Sequence, residues 1–239
     1  MMNDLFKFMI DKQGGLKRWK TFHTATAHMH VGGNLWKRKG HEGIIEEVDV
    51  VINLLEQKLS HIPNDEWHTS YSPQRVAIET ANGNLFEELY NPRASFKGHV
   101  WDTIWSNLQL AYFTGYATWN YFNTPFLFAT PGFEVTEIEP WEENNETWRR
   151  LKVKWPENIH THTAEQVLYV DVEGFIRRLD YKVEIAGNNA AVHYLSNYKD
   201  IAGIKMATKR MVYPMGENNK PQPDAPVIVS IDWSDIKFS

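Results

Sequence analysis

Two pairs of histidines, His28/His30 and His160/His162, each stand two residues apart. In an extended strand that spacing sends both imidazoles of a pair to one face, where they suit zinc, copper or non-haem iron. No carboxylate falls at a diagnostic offset and no HExxH occurs, so no metal ligand is assigned. Glycine-rich phosphate loops and GxSxG elbows are also missing, and no cofactor is expected. The chain has no cysteine, which removes disulfides, thiolate catalysis and cysteine-bound metals.

A second set of reactive side chains comes from one hairpin. A two-residue turn at Glu173-Gly174 pairs Val172 with Phe175, and that register sets every further pair. One face then holds Ala164, Gln166, Leu168 and Val170 against Arg177, Leu179, Tyr181 and Val183, with His162 opposite Ile185. The other face carries Glu165, Tyr169, Asp171, Arg178, Asp180, Lys182 and Glu184, reads as solvent, and opposes Glu165 to Lys182. On the covered, aliphatic face the exceptions are His162, Gln166, Arg177 and Tyr181. A guanidinium is strongly penalised in an apolar interior, so Arg177 must meet a carboxylate, water or a hydrated cavity there. A two-residue turn at 187–189 adds Val192 and Tyr194 to this face and sends His193 outward; a three-residue turn reverses that.

The elements that position these residues follow from hydrophobic period and turn chemistry. Leu5, Phe8 and Met9 fall at helical spacing, with Asn3 or Asp4 as cap and Gly14-Gly15 as stop. This start lacks the cationic and long apolar runs of an export signal, so a cytoplasmic address is expected. Strands are expected over 19–31 and 35–39. Residues 44–59 fit a helix or a strand, and their β-branched residues favour strand through about residue 55. A hairpin, 75–81 with 84–90, is expected around Asn82-Gly83. After an acidic loop at 134–146, alternation predicts strands near 147–155, 163–172, 175–186, 190–198, 204–213 and 226–233.

Between them, Thr103 to Phe133 contains no charged residue. Its polar interruptions argue against a membrane span. Trp101, Trp105, Leu108, Tyr112, Tyr116 and Trp119 step by three or four, placing an aromatic stripe on a helix. Thr124-Pro125 reads as the start of a second, short helix. The 239 residues therefore read as one α+β domain: about ten antiparallel strands, an N-terminal helix and a helical insertion at about 100–130. Ten tryptophans and 13% aromatic residues fit either a rich core or a lined cavity. The net charge of −5 argues against a generic nucleic-acid surface.

The segments RVAIET (75–80), PRASFKGH (92–99), PFLFATPGFE (125–134), EPWEENNETWRRLKV (139–153) and IHTHTAEQVLYVDVEGFIRRLDY (159–181) resemble a family of uncharacterised bacterial proteins of about this length. So do AVHY (191–194) and KRMVYP (209–214). That resemblance implies no catalytic residues. The element order also resembles the lipoprotein-carrier (LolA-like) fold. It implies a curved antiparallel half-barrel, with mid-chain helices across its concave face and an aromatic hollow that takes acyl chains.

Together these readings lead to a binding protein for a hydrophobic or amphiphilic small molecule, held between sheet and helices. Trp101, Trp105, Tyr112, Trp119, Phe126 and Phe128 would line the hollow, with His162, Gln166, Arg177 and Tyr181 as polar handles. One alternative is an enzyme in the same cavity, with His162 as base, Tyr181 as acid and Arg177 stabilising an anion. Another is a structural protein that dimerises through the uncharged segment. Oligomeric state is not legible.

Overall fold

The structure, a computed structural model, describes residues 3–239. The first helix, α1 (Asp4–Lys12), is capped by Asn3, whose side chain accepts from the Phe6 amide at 2.8 Å. It buries Leu5, Phe6, Met9 and Ile10, the stripe expected of an amphipathic helix. Its end is fixed at Gly14, where φ is +121° and a Cβ would stand 2.4 Å from the Gly203 carbonyl oxygen. A one-turn helix, α2 (Leu16–Trp19), follows.

Every strand belongs to one antiparallel sheet. In the first half lie β1 (Thr24–Gly32), β2 (Glu47–Asn53), β3 (Lys58–Ile62), β4 (Trp67–Ser72), β5 (Arg75–Thr80) and β6 (Leu85–Tyr90). The second half contributes β7 (Glu134–Glu143), β8 (Glu146–Lys154), β9 (Glu165–Val170) and β10 (Ile176–Val183). It is completed by β11 (Asn189–Ile201), β12 (Ile204–Pro214) and β13 (Val229–Phe238). The spatial order is β6-β5-β4-β3-β2-β1-β13-β12-β11-β10-β9-β8-β7, two meanders joined where β1 meets β13. The sheet is not closed, and β6 and β7 are its edges.

Thirteen strands replace the expected ten or so. Three of them, β3, β4 and β7, lie in stretches read as irregular, and β7 occupies most of the supposed acidic loop. Its glutamates pair across the hairpin instead, as Glu137 does with Arg149 at 2.8 Å and Glu134 with Lys154 at 3.0 Å. The return strand expected at 35–39 is a helical turn, α3 (Leu35–Arg38).

The uncharged segment forms one long helix, α4 (Asn107–Asn123), in which every residue from Leu108 to Asn123 is buried. Ser106 and Gln109 close a capping box at its start, so Trp101 and Trp105 precede the helix rather than ride on it. Thr124 ends α4, and the expected second helix is a single 3₁₀ turn, Phe126–Ala129. On one side the Trp119 indole donates to the Asn53 carbonyl at 2.7 Å, and Gln57 donates to Asn120 at 3.2 Å. On the other, Phe122 meets Trp233 edge-on at 4.7 Å, and Arg210 donates to the Tyr121 carbonyl. Since strands from both halves of one sheet touch α4, the sheet curves around it. An apolar helix needs such complete cover. This leaves α4 inside its own sheet.

In the β9–β10 hairpin, Leu168 faces Leu179, as the turn arithmetic requires, and both are buried while Glu165 and Lys182 are exposed. Near the turn a bulge intervenes: Val170 faces Ile176, Tyr169 faces Arg178, and Arg177 is the extra residue. The bulge removes Arg177 from the covered face. Its Nε donates to Asp171 at 2.5 Å on the outer side. Arg178 and Asp180 do point outward, yet they are buried, not solvated, beneath Glu143 and the Asn219 carbonyl. After β10, the 3₁₀ turn Glu184–Ala186 sets Tyr181 opposite Ala191 and Leu179 opposite His193. His193 therefore faces inward and Tyr194 outward, the arrangement that a longer turn implies.

Candidate functional site

Residues brought inward by β10, β11 and the loop before β9 meet the middle of α4. His162 accepts or donates at both ring nitrogens, with the Tyr116 hydroxyl 3.0 Å from Nδ1 and that of Tyr121 3.1 Å from Nε2. Tyr181 stacks on His162 and places its hydroxyl 3.2 Å from His193 Nδ1 and 3.5 Å from that of Tyr121. Burial holds His162 neutral, its pKa pushed down to about 3, and drives His193 well below the imidazole range. The same desolvation lifts Tyr116 and Tyr181 well above ordinary phenols. The histidines here are neutral, and both nitrogens of His162 are bonded within the network.

Beside it lies an apolar void of about 60 Å³, bounded by Trp101, Trp105, Phe113, His162, Tyr181 and Val212 among others. A wider groove of about 370 Å³ opens between β3–β6 and the start of α4, lined by Pro63, Trp67, Ile78, Phe86 and Leu110. Ile45 and Thr114 line both spaces. At the groove, Phe86 is 75% exposed and Ile44 is exposed as well. Such an uncovered apolar mouth is uncommon on a stable surface.

The structure places the expected site residues in several locations. Trp101, Trp105, His162 and Tyr181 share the inner void. Tyr112 is fully buried and bonds His160 Nδ1 at 2.8 Å. Trp119 and Phe126 line a separate open cleft with Leu55 and Pro131, and Phe126 stacks on Trp19 at 4.6 Å. Phe128 packs on Trp155 and Phe133. Gln166 donates to Thr161 at 2.6 Å beneath His162's loop. Arg177 lies outside, as described.

Sequence reasoning missed Arg210, His193, Tyr121 and the groove lining. Arg210 sits on the face shared by Met206, Thr208 and Val212, but its neighbouring face carries Lys205, Ala207, Lys209 and Met211, so neither side declares itself. Of the metal-like pairs, His28 spends both ring nitrogens on Glu47 and Asp49, each at 2.7 Å. No group of three or more His, Asp or Glu among the described residues could hold a metal ion. No helix among them is long and apolar enough to cross a membrane.

An N-terminal helix, one curved antiparallel sheet and a mid-chain helix in its hollow are the elements of the carrier fold. The fold is LolA-like. No family model matches the chain, and no curated protein matches it. Among solved structures it is similar to a DUF1329 family protein from Desulfovibrio piger, at 11% identity and a TM-score of 0.50, covering 99% of this chain and 94% of that one. It is also similar to a LolA superfamily protein from Nitrosomonas europaea, at 9% identity and a TM-score of 0.45, covering 97% and 92%. A third is a putative outer membrane lipoprotein-sorting protein domain from Vibrio parahaemolyticus, at 8% identity and 0.46, covering 99% and 91%. At these identities the LolA-like likeness is one of fold. The cytoplasmic address expected from the sequence is withdrawn: the proteins this chain is similar to include one titled as an outer membrane lipoprotein-sorting protein domain.

Proposed function

We propose that this protein is a binding protein for a hydrophobic or amphiphilic small molecule, working as one α+β domain. The observation that carries this reading is the exposed apolar groove of about 370 Å³ that meets the inner void at Ile45 and Thr114. Ligand sites combine concave apolar walls with a few polar groups, and this pair of spaces has both. The inner void alone is too small for an acyl chain. Binding therefore starts in the groove and extends inward as Ile45 and the aromatic side chains move aside. Trp101 and Trp105 would contact the deeper part of the guest.

The enzymatic alternative needs His162, Tyr181 and Arg177 on one substrate. Arg177 is on the other side of the sheet in an ion pair with Asp171, and both nitrogens of His162 are engaged by tyrosines. The geometry favours holding over reacting.

The test is titration of protein stripped by solvent extraction with a fluorescent fatty acid, a prenyl probe and a bile-acid-like probe. Saturable binding by at least one, weakened by Thr114→Trp at the groove, is expected. Failure of all three probes on folded protein would overturn the reading.

A further inference from the structure

The half-sheet of β10–β13 encloses a cation that has no anion. Arg210 is 3% exposed, and its Nη2 donates to the Tyr121 carbonyl at 3.2 Å. Its Nε and Nη1 are buried without a hydrogen-bond partner among the described residues. The guanidinium carbon lies 4.6 Å from the Tyr121 ring centroid, a contact that offsets only part of the lost hydration. Every other fully buried arginine that β10–β13 contribute has carboxylates: Arg178 reaches Asp180 at 2.7 Å and Glu143 at 2.6 Å. Arg210 does not.

His193 stands next to it. Leu195 pairs with Arg210 and His193 with Val212, so the two side chains are diagonal neighbours on the inner face. Both pack against Tyr121, whose ring is 5.0 Å from that of His193. The Tyr181 hydroxyl engages His193 Nδ1, and the other ring nitrogen, Nε2, is also buried and unpartnered; in the tautomer protonated there it is a free donor. Arg210 thus holds buried N–H groups with no acceptor beside a buried His193 nitrogen with no partner, which native interiors rarely tolerate.

We propose that Arg210 and His193 form the seat for the carboxylate head group of an amphiphilic ligand whose tail occupies the apolar void and groove. The proposal rests on the binding reading above. A carboxylate matches one guanidinium in charge and its fork in shape, whereas a phosphate dianion would leave a buried negative charge unbalanced. The void already reaches Tyr121 and Tyr181, the rings that pack on Arg210 and His193. Their hydroxyl contact of 3.5 Å is the longest between side chains around His162, and it is the one a head group would part.

The experiment compares palmitate, its uncharged methyl ester and butyrate on stripped protein, for the unmodified chain and for Arg210→Met, Arg210→Lys and His193→Phe. The unmodified protein is expected to prefer palmitate over the ester by roughly tenfold or more, the scale of a charged hydrogen bond. Arg210→Met should erase that preference while keeping ester affinity, Arg210→Lys should restore part of it, and His193→Phe should reduce it. Equal affinity for acid and ester, or a preference that survives Arg210→Met, overturns the seat while leaving the binding reading intact. Butyrate binding as tight as palmitate would assign the seat to a small free anion and overturn the amphiphile. If neither palmitate nor its ester binds, the seat falls, while the binding reading stands or falls on the prenyl and bile-acid-like probes. Should Arg210→Met not fold, a preference undiminished in folded His193→Phe overturns the seat.

Discussion

His162 lies flat on Tyr181, ring planes within 10° and centroids 4.4 Å apart, while two other tyrosines hold its nitrogens. This stack, buried and without a carboxylate, keeps the imidazole uncharged. It makes stability a function of acidity.

The sign follows from linkage. The folded-state pKa values of His162 and His61 are depressed by burial to about 3 and about 4, below the ordinary 6.5 of an unfolded chain. Below that value the unfolded chain takes up protons that the folded one refuses, so stability is full above pH 6.5 and drains as pH falls toward 3–4. At pH 5 each histidine forfeits about 2 kcal/mol. His28 has the opposite sign, raised by hydrogen bonds to Asp49 and Glu47, but it is solvent-exposed and its effect is small. Thermal melts from pH 7.5 to 5 should show a falling Tm, with a shallower slope in His61→Gln.

Adjacent arginines should behave very differently. Arg178 is fully buried with two carboxylates, and Arg178→Met should destabilise by about 3–5 kcal/mol because it strands Asp180 and Glu143. Arg177→Met, where the arginine is 31% exposed and the buried Asp171 keeps two backbone amides, should cost less, about 1 kcal/mol, and leave ligand affinity unchanged. Denaturant titration of both variants reads the contrast, and equal losses would contradict it.

Asp171 carries more than its ion pair. Its carboxylate also accepts the Glu173 and Phe175 amides at 3.0 and 2.9 Å, which closes the turn. Asp171→Ala is expected to cost about 1–3 kcal/mol, more than Arg177→Met, in the same titrations.

Gly115 is the point where α4 touches β4. A Cβ there would lie 2.4 Å from the Tyr71 ring. Gly115→Ala should therefore destabilise by about 1–3 kcal/mol despite alanine's better helix propensity. The double variant with Tyr71→Ala should show coupling in a thermodynamic cycle, and simple additivity would refute the contact.

Strong local signals were legible. The hairpin at Asn82-Gly83, the register that buries Leu168 and Leu179, and the strands after residue 146 all follow from turn residues and alternation. Even so, Asn82 lacks the positive φ of a type I′ turn, and the hairpin carries a bulge at Ile78/Glu79. The uncharged run correctly announced a covered helix, but its start depended on the Ser106–Gln109 box rather than on aromatic spacing. What failed was set by distant partners. A bulge moved Arg177 outward, and nothing local marks it. Arg178 and Asp180 look like surface charges until Glu143 and the loop carrying Asn219 arrive over them. Arg210 became the interior arginine because β12 pairs β11 in a register that only tertiary structure reveals.

The seam between β1 and β13 has a consequence for how this chain matures. Ala25 faces Phe238 there, joining residues from opposite ends of the sequence. Each meander consists of neighbouring hairpins that form early, but the seam must close the longest loop in the molecule, which makes it the slow step. During synthesis α4 emerges before any strand of its second wall exists. A ribosome-bound chain therefore shows its most apolar helix half covered until β13 is released, and truncation before Val229 should leave a sticky, aggregation-prone intermediate rather than a smaller stable protein.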